Sequence, residues 1–160
     1  MTGGEVADLL ASGEKAQVAT INPDGTPHLV TLFYGLVDGK IALFTYRRSQ
    51  KARNLGRDPR ITCLVEAGED YGELRGAMVY GTAKLIEDHA AVVDVGTRVL
   101  ERTMRHRADE LADYVERVAA KRVAYLVEPV RVVSWDHRKL TRGRARAEFS
   151  GGAAAGATVP

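Results

Sequence analysis

The 160-residue sequence is 45% hydrophobic and carries a formal charge of +2 from 23 basic and 21 acidic side chains. This length and apolar content predict one globular domain with a sizeable core, and the near balance of charge excludes a global field that attracts nucleic acid or a membrane surface. The single cysteine, Cys63, excludes an intramolecular disulfide framework and a multi-cysteine metal site. We therefore expect a cytoplasmic protein in a reducing compartment, with no metal centre.

The two ends of the chain carry no membrane signal. No run of about 18 apolar residues exists, so no membrane span is expected, and residues 1–12 lack the basic region that opens a signal peptide. Residues 141–160 are rich in Arg and then in Gly and Ala, with too little apolar bulk to pack alone. We interpret residues 1–140 as one domain and residues 141–160 as a flexible tail that does not bind nucleic acid.

The first half of the chain predicts a short helix and a meander. Apolar residues at helical spacing between positions 6 and 10 predict a helix that ends near Gly13. Three β-branched runs then predict strands over residues 17–21, 28–37 and 40–45. The turn sequence N-P-D-G at residues 22–25 and the dipeptide Asp38-Gly39, typical of a type I′ turn, join them.

The second half predicts further strands around a helical insertion. Ser49 is the expected N-cap of a helix that closes before Pro59. Gly81 and Pro129 each indicate a bulge or an edge. Strands are predicted over residues 61–66, 77–86 and 123–135. Between the last two, Asp88 is expected to cap a helix running to about His106, and a second helix follows with apolar residues at positions 111, 114, 115 and 118.

A basic cluster lies between the third strand and the helix capped by Ser49. Arg47, Arg48, Lys51 and Arg53 fall within seven residues. A helix start offers unpaired backbone N–H groups and the positive end of a dipole, so a phosphate there is held by amides, hydroxyls and cations together. The other interpretation is a solvated basic loop, and composition alone does not decide between the two.

The motif order F-T at residues 44–45, S-Q-K at 49–51, N-L at 54–55 and D-P-R at 58–60 resembles the pyridoxamine 5′-phosphate oxidase-like split-barrel flavin-binding superfamily. Aligned without gaps on D-P-R, Thr45, Ser49 and Lys51 fall on the phosphate-binding Thr, Ser and Lys of that superfamily. The resemblance extends over residues 16–140. It implies a mainly β (α+β) fold, a split β-barrel of about six antiparallel strands with peripheral helices, assembled as a homodimer whose interface forms the cofactor clefts.

Within the superfamily, the K-A-R-N-L-x-R-D-P-R segment and the ending S-W-D-H-R-K-L look most like the actinobacterial branch that uses the deazaflavin coenzyme F420. The Arg on the second strand of true pyridoxamine phosphate oxidases is matched by Leu29, and their R-L-H-D-R motif is absent, so vitamin B6 oxidation is not expected. The resemblance implies an F420-dependent oxidoreductase that transfers a hydride to or from a small organic substrate. The alternatives are an FMN-dependent oxidase or reductase, and a non-enzymatic carrier of flavin, deazaflavin or haem.

The resemblance also implies a set of cofactor-binding residues and no catalytic side chain, because hydride transfer belongs to the cofactor. The set is His28, Val30, Thr31, Phe44, Thr45, Arg48, Ser49, Gln50, Lys51, Arg53, Tyr80 and Trp135. Lys51 and Ser49 are expected to bind the phosphate, and Tyr80 and Trp135 to line the cleft from the second protomer. The simpler interpretations are a half-exposed turn histidine at His28 and core aromatic residues at Tyr80 and Trp135.

Overall fold

The computed structural model of the chain describes residues 1–103 and 108–140. In this part of the chain the strands form one closed antiparallel barrel in the order β1-β2-β3-β6-β5-β4, with β4 pairing back onto β1. The strands are β1 Lys15–Ile21, β2 Pro27–Val37, β3 Lys40–Tyr46, β4 Arg60–Ala67, β5 Arg75–Ile86 and β6 Arg122–Asp136. The helices are α1 Gly3–Ser12, α2 Gln50–Arg57, α3 His89–Glu101 and α4 Ala108–Ala119. The predicted six-stranded barrel with peripheral helices is confirmed.

Two predicted irregularities occur where glycine and proline indicated them. Asp38 and Gly39 both have positive φ, 50° and 75°, as a type I′ turn requires. The β5–β6 register places Tyr80 opposite Arg131 but Gly81 opposite Pro129, so the ladder is interrupted by a bulge at this point. The tail at residues 141–160 and the predicted helix end near His106 lie outside the described residues.

The barrel interior and the α3–α4 layer form two separate apolar clusters. Alternate strand residues fill the interior, and Leu9 and Leu10 of α1 and Ala52 and Leu55 of α2 close it. The intervening residues of β3 and β6 face outward and are covered by α3 and α4, as Phe44 is. Helix α2 therefore plugs the barrel, whereas α3 and α4 lie against its wall.

Arg102, which follows α3, stabilises the end of α1. Its guanidinium donates to the carbonyl oxygens of Leu10 at 3.1 Å and Ala11 at 3.0 Å, and also to that of Gly13. It stacks over the ring of Tyr34 at 4.9 Å, and the Tyr34 hydroxyl donates to the same Leu10 carbonyl at 2.6 Å. These bonds satisfy carbonyls that a helix end leaves without partners.

The bulge yields a stability prediction. A Cβ added at Gly81 would collide with the backbone carbonyl oxygen of Glu128, so Gly81→Ala should lower the free energy of unfolding by about 1 to 3 kcal/mol. Gly4→Ala is the matched control, because Gly4 lies in α1 with open space around it and should gain about 0.5 kcal/mol. Urea denaturation of both variants measures the difference, and equal midpoints would contradict the prediction.

Candidate cofactor site

The start of α2 brings two hydroxyl groups together. Ser49 caps the helix, because its Oγ accepts from the backbone N–H of Ala52 at 3.4 Å, and its own N–H donates to the carbonyl of Tyr46 at 3.0 Å. Thr45, at the end of β3, is 4% exposed, and its Oγ1 lies 3.5 Å from Ser49 Oγ. The structure therefore brings Thr45 and Ser49 to the positive end of α2, as their sequence positions predicted.

Asn54 fixes α2 against the end of β1. Its side chain is 0% exposed, and Nδ2 donates to Thr20 Oγ1 at 3.1 Å and to Asn22 Oδ1 at 3.0 Å. Its Oδ1 accepts from Gln50 Nε2 at 3.0 Å, so Gln50 bonds within its own helix. The sequence motif contained Asn54, but no role was predicted for it; the signal was a polar residue beside Leu55 on the buried face of a short helix.

The cations around the helix start differ in their partners. Arg47 pairs with Glu87 at 3.1 Å, whereas Arg48 and Arg53 are exposed and have no ion pair with any described residue. Lys51 is half-buried and, within the same described part, also has no acidic partner. Burial lowers the pKa of Lys51 from its ordinary value, and the nearby positive charge of Arg122 lowers it further.

Three cofactor-binding residues were predicted on strand β2, and their side chains lie on both faces of that strand. The register pairs His28 with Thr20 and Val30 with Val18, and Val30 packs against the barrel interior. His28 therefore lies beside the residue to which Asn54 of α2 donates. Thr31 is exposed on the opposite face, so the structure does not bring it to the same place.

Tyr80 and Trp135 lie on that other face, on the outer wall of the barrel. Register pairs align Thr31, Gln17, Leu64, Met78 and Val133 in one row across five strands. Tyr80 lies in the next row and lines a groove of about 410 Å³, and the Trp135 ring lies directly against Gly76. This outer face also exposes apolar side chains, among them Leu29 at 65% and Val133 at 43%.

Phe44 contacts neither the helix start nor the outer face. It is 6% exposed and belongs to the cluster beneath α3, where its ring approaches Gly96. The guanidinium of Arg122 stacks on it at 4.8 Å. A backbone role for Phe44 in binding stays a prediction, whereas its side chain supports Arg122.

Cys63 is fully buried, and burial raises the pKa of its thiol to about 12. The thiolate is the reactive form of cysteine, so this residue is inert near neutral pH.

Within the described residues, no helix is both long and apolar enough to cross a bilayer.

A closed six-stranded antiparallel barrel with peripheral helices is the architecture of the flavin-binding split-barrel class of proteins. The family model described as pyridoxamine 5′-phosphate oxidase matches residues 3–136. The chain therefore belongs to the pyridoxamine 5′-phosphate oxidase family, whose wider superfamily contains oxidoreductases. Comparison with curated proteins finds no match.

Solved structures extend the comparison. The conserved hypothetical protein Rv2991 from Mycobacterium tuberculosis is 42% identical over 88% of each chain, with a TM-score of 0.83. A protein named F420 reductase is 22% identical, covering 83% of this chain and 98% of its own, with a TM-score of 0.61. A heme binding protein from Mycobacterium smegmatis is 18% identical, covering 93% and 67%, with a TM-score of 0.63. The last two share the fold alone.

The anchor of α2 gives a second stability prediction. Asn54→Ala removes three hydrogen bonds, among them the bond to the buried Thr20 hydroxyl of β1, so the free energy of unfolding should fall by about 2 kcal/mol. Arg53→Ala, on the exposed side of the same helix, should change it by less than about 0.5 kcal/mol. Denaturant unfolding of the pair checks this, and a loss shared equally by both variants would count against the anchor.

Proposed function

We propose that the protein binds coenzyme F420 at the start of α2 and is an oxidoreductase that transfers a hydride between this deazaflavin and a small organic substrate. The observation that carries the proposal is the cluster of Thr45, Ser49 and Lys51 at the positive end of a helix, with no acidic partner for Lys51 among the described residues. Membership of the pyridoxamine 5′-phosphate oxidase family supports a flavin-type ligand there.

The residues present fit a phosphate. Two hydroxyls and backbone N–H groups of the first helical turn lie together at the start of α2, and the half-buried Lys51 belongs to the same turn; each can donate to a phosphate oxygen. Burial, and after it the positive charge of Arg122, lower the pKa of Lys51, and a bound anion opposes both effects by supplying a counter-charge. Lys51 and Ser49 bind the phosphate, and Thr45 orients the adjoining ribityl chain.

The basic surroundings favour F420 over FMN. A cavity of about 520 Å³ beside the helix start is lined by Tyr46, Arg47, Arg48, Ala120 and Lys121. F420 carries an acidic tail beyond its phosphate, and Arg48, Arg53 and Lys121 attract such carboxylates. FMN ends at its phosphate and makes no use of this cavity, although the cradle itself suits either cofactor.

The cofactor ring needs an apolar surface to bind against, and we assign it to the outer wall of the barrel. When bound, the deazaflavin supplies the hydride chemistry, and the protein orients the ring and excludes water. The exposed apolar residues of this wall, with Leu29 and Val133 among them, are suited to burial against a second copy of the chain. In such a homodimer Tyr80 and Trp135 line the cleft from the second protomer, and Thr31 and the Val30 backbone meet the ring, whereas the His28 side chain lies on the other face of β2, beside Thr20.

Spectroscopic titration tests the choice of cofactor. Purified protein should bind F420 in the micromolar range, with a change in the deazaflavin absorbance, and should bind FMN and haem more weakly. Binding of FMN without any binding of F420 would contradict the assignment and favour the FMN-dependent oxidase or reductase.

Turnover separates an enzyme from a carrier. Reduced F420 bound to the protein should be reoxidised by members of a panel of enones, quinones and tetrapyrroles, measured as return of the oxidised absorbance. A reduced form that persists across the whole panel would indicate the carrier instead.

Removal of the lysine tests the cradle. Lys51→Ala should weaken cofactor binding by about 1.5 to 3 kcal/mol, the range for a hydrogen bond to a charged group. Lys84→Ala removes an exposed lysine of β5 and is the matched control. Calorimetric dissociation constants for the two variants measure the difference, and an unchanged constant for Lys51→Ala would remove Lys51 from the site.

A further inference from the structure

Arg122 is far from α2 in the sequence, but it pairs with Tyr46, which lies just before α2. It is the first residue of β6, and the β3–β6 register places it directly opposite Tyr46. Its guanidinium lies between two rings, 4.3 Å from the centroid of Tyr46 and 4.8 Å from that of Phe44. These stacking contacts hold the planar guanidinium in one orientation.

This guanidinium lacks the polar partners that a buried cation normally has. Its Nε is buried and donates no hydrogen bond, and Arg122 forms no ion pair within residues 1–103 and 108–140. Glu87, the residue that follows β5, pairs with Arg47 instead. Buried donors in folded proteins are nearly always satisfied, so this side chain calls for a partner outside the described residues, and a bound anion is one that suits a cation.

Arg122 also acts electrostatically on Lys51, a second cation without an ion pair among the described residues. Its charge contributes to the lowered pKa of Lys51. Two half-buried cations that repel each other without an acid between them raise the free energy of the protein on its own. A ligand with two negative charges removes that repulsion, and one with none does not.

A backbone hydrogen bond joins the two chain segments that line the basic cavity. The N–H of Arg47 donates to the carbonyl of Lys121 at 3.1 Å, which ties the segment after β3 to the segment before β6. Both segments line the basic cavity of about 520 Å³. Arg122 directly follows Lys121 and is paired across the ladder with Tyr46, which also lines the cavity.

We propose that Arg122 is an anion-binding residue of the cofactor site, which forms with Lys51 a two-cation receptor that selects the phosphorylated cofactor over the same ring system without phosphate. This inference rests on the proposed function for its ligand. It assigns a role to a residue outside the strand-to-helix segment, and it names the charge of the ligand as the property that is recognised.

The test compares ligands with and without their anionic part, and FMN and riboflavin are the pair that differs by the phosphate alone. Dissociation constants are measured for F420 and for its ring and ribityl portion without phosphate, and for FMN and riboflavin. In Arg122→Gln the phosphorylated member of a pair should bind about tenfold more weakly or worse, whereas the uncharged member should change by less than about twofold. Arg122→Lys keeps the charge but not the planar stack and should lie between. Arg98→Gln, an exposed arginine of α3 that pairs with Asp94, is the control and should change neither.

Inorganic pyrophosphate is the anion-only probe and separates this inference from the proposed function. If the unmodified protein binds no cofactor but binds pyrophosphate in a way that Arg122→Gln abolishes, the proposed function fails and the anion site stands. If Lys51→Ala weakens F420 binding and Arg122→Gln does not, the inference fails alone. Equal weakening of both members of a ligand pair indicates a structural role for Arg122 and also overturns it. Should Arg122→Gln not fold, the same ligand ratios in Arg122→Lys decide, and unchanged ratios overturn the inference.

Discussion

The architecture depends on strand pairing that closes the barrel, and β6 is the strand that joins β3 to β5. Its residues 122–126 pair with β3, and its residues 124–136 pair with β5 across the bulge at Gly81. Backbone N–H and C=O groups must be paired when they leave water, and closing the barrel through β6 pairs the strand edges that an open sheet exposes. The same closure places Arg122 opposite Tyr46 and so completes the charged surroundings of α2. Fold and candidate site therefore rest on the same backbone ladder.

Local chemistry explains why the strands and turns could be predicted from the sequence. The turn at Asp38-Gly39, the cap at Ser49 and the bulge at Gly81 each follow from a conformation that only certain residues adopt easily, and each is present. The role of Arg102 could not be predicted. Its guanidinium binds carbonyls about ninety residues earlier in the chain, as with Ala11 at a separation of 91, and no local pattern encodes that contact.

The residues of the candidate site also include some that local sequence could indicate and others that it could not. Thr45, Ser49 and Lys51 were predictable together because one strand-to-helix segment carries them all. Arg122 was not, because it arrives through the pairing of β3 with a strand that begins about seventy residues after Lys51. The two faces of β2 were not separated either, because a single step from Val30 to Thr31 reverses the side of the strand, and only the register tells which side faces the interior.

The distribution of charge, rather than its total, distinguishes the α2 surface. Elsewhere in the described residues, several cations have close acidic partners: Arg60 with Asp58, Lys40 with Glu128, and Lys139 with Glu5, all within 2.7 Å. Lys51 and Arg122, by contrast, are partly buried and repel each other. Unpaired cations that repel each other lower the stability of the folded protein. Such unfavourable interactions are typical of binding sites, because a bound ligand of opposite charge removes them.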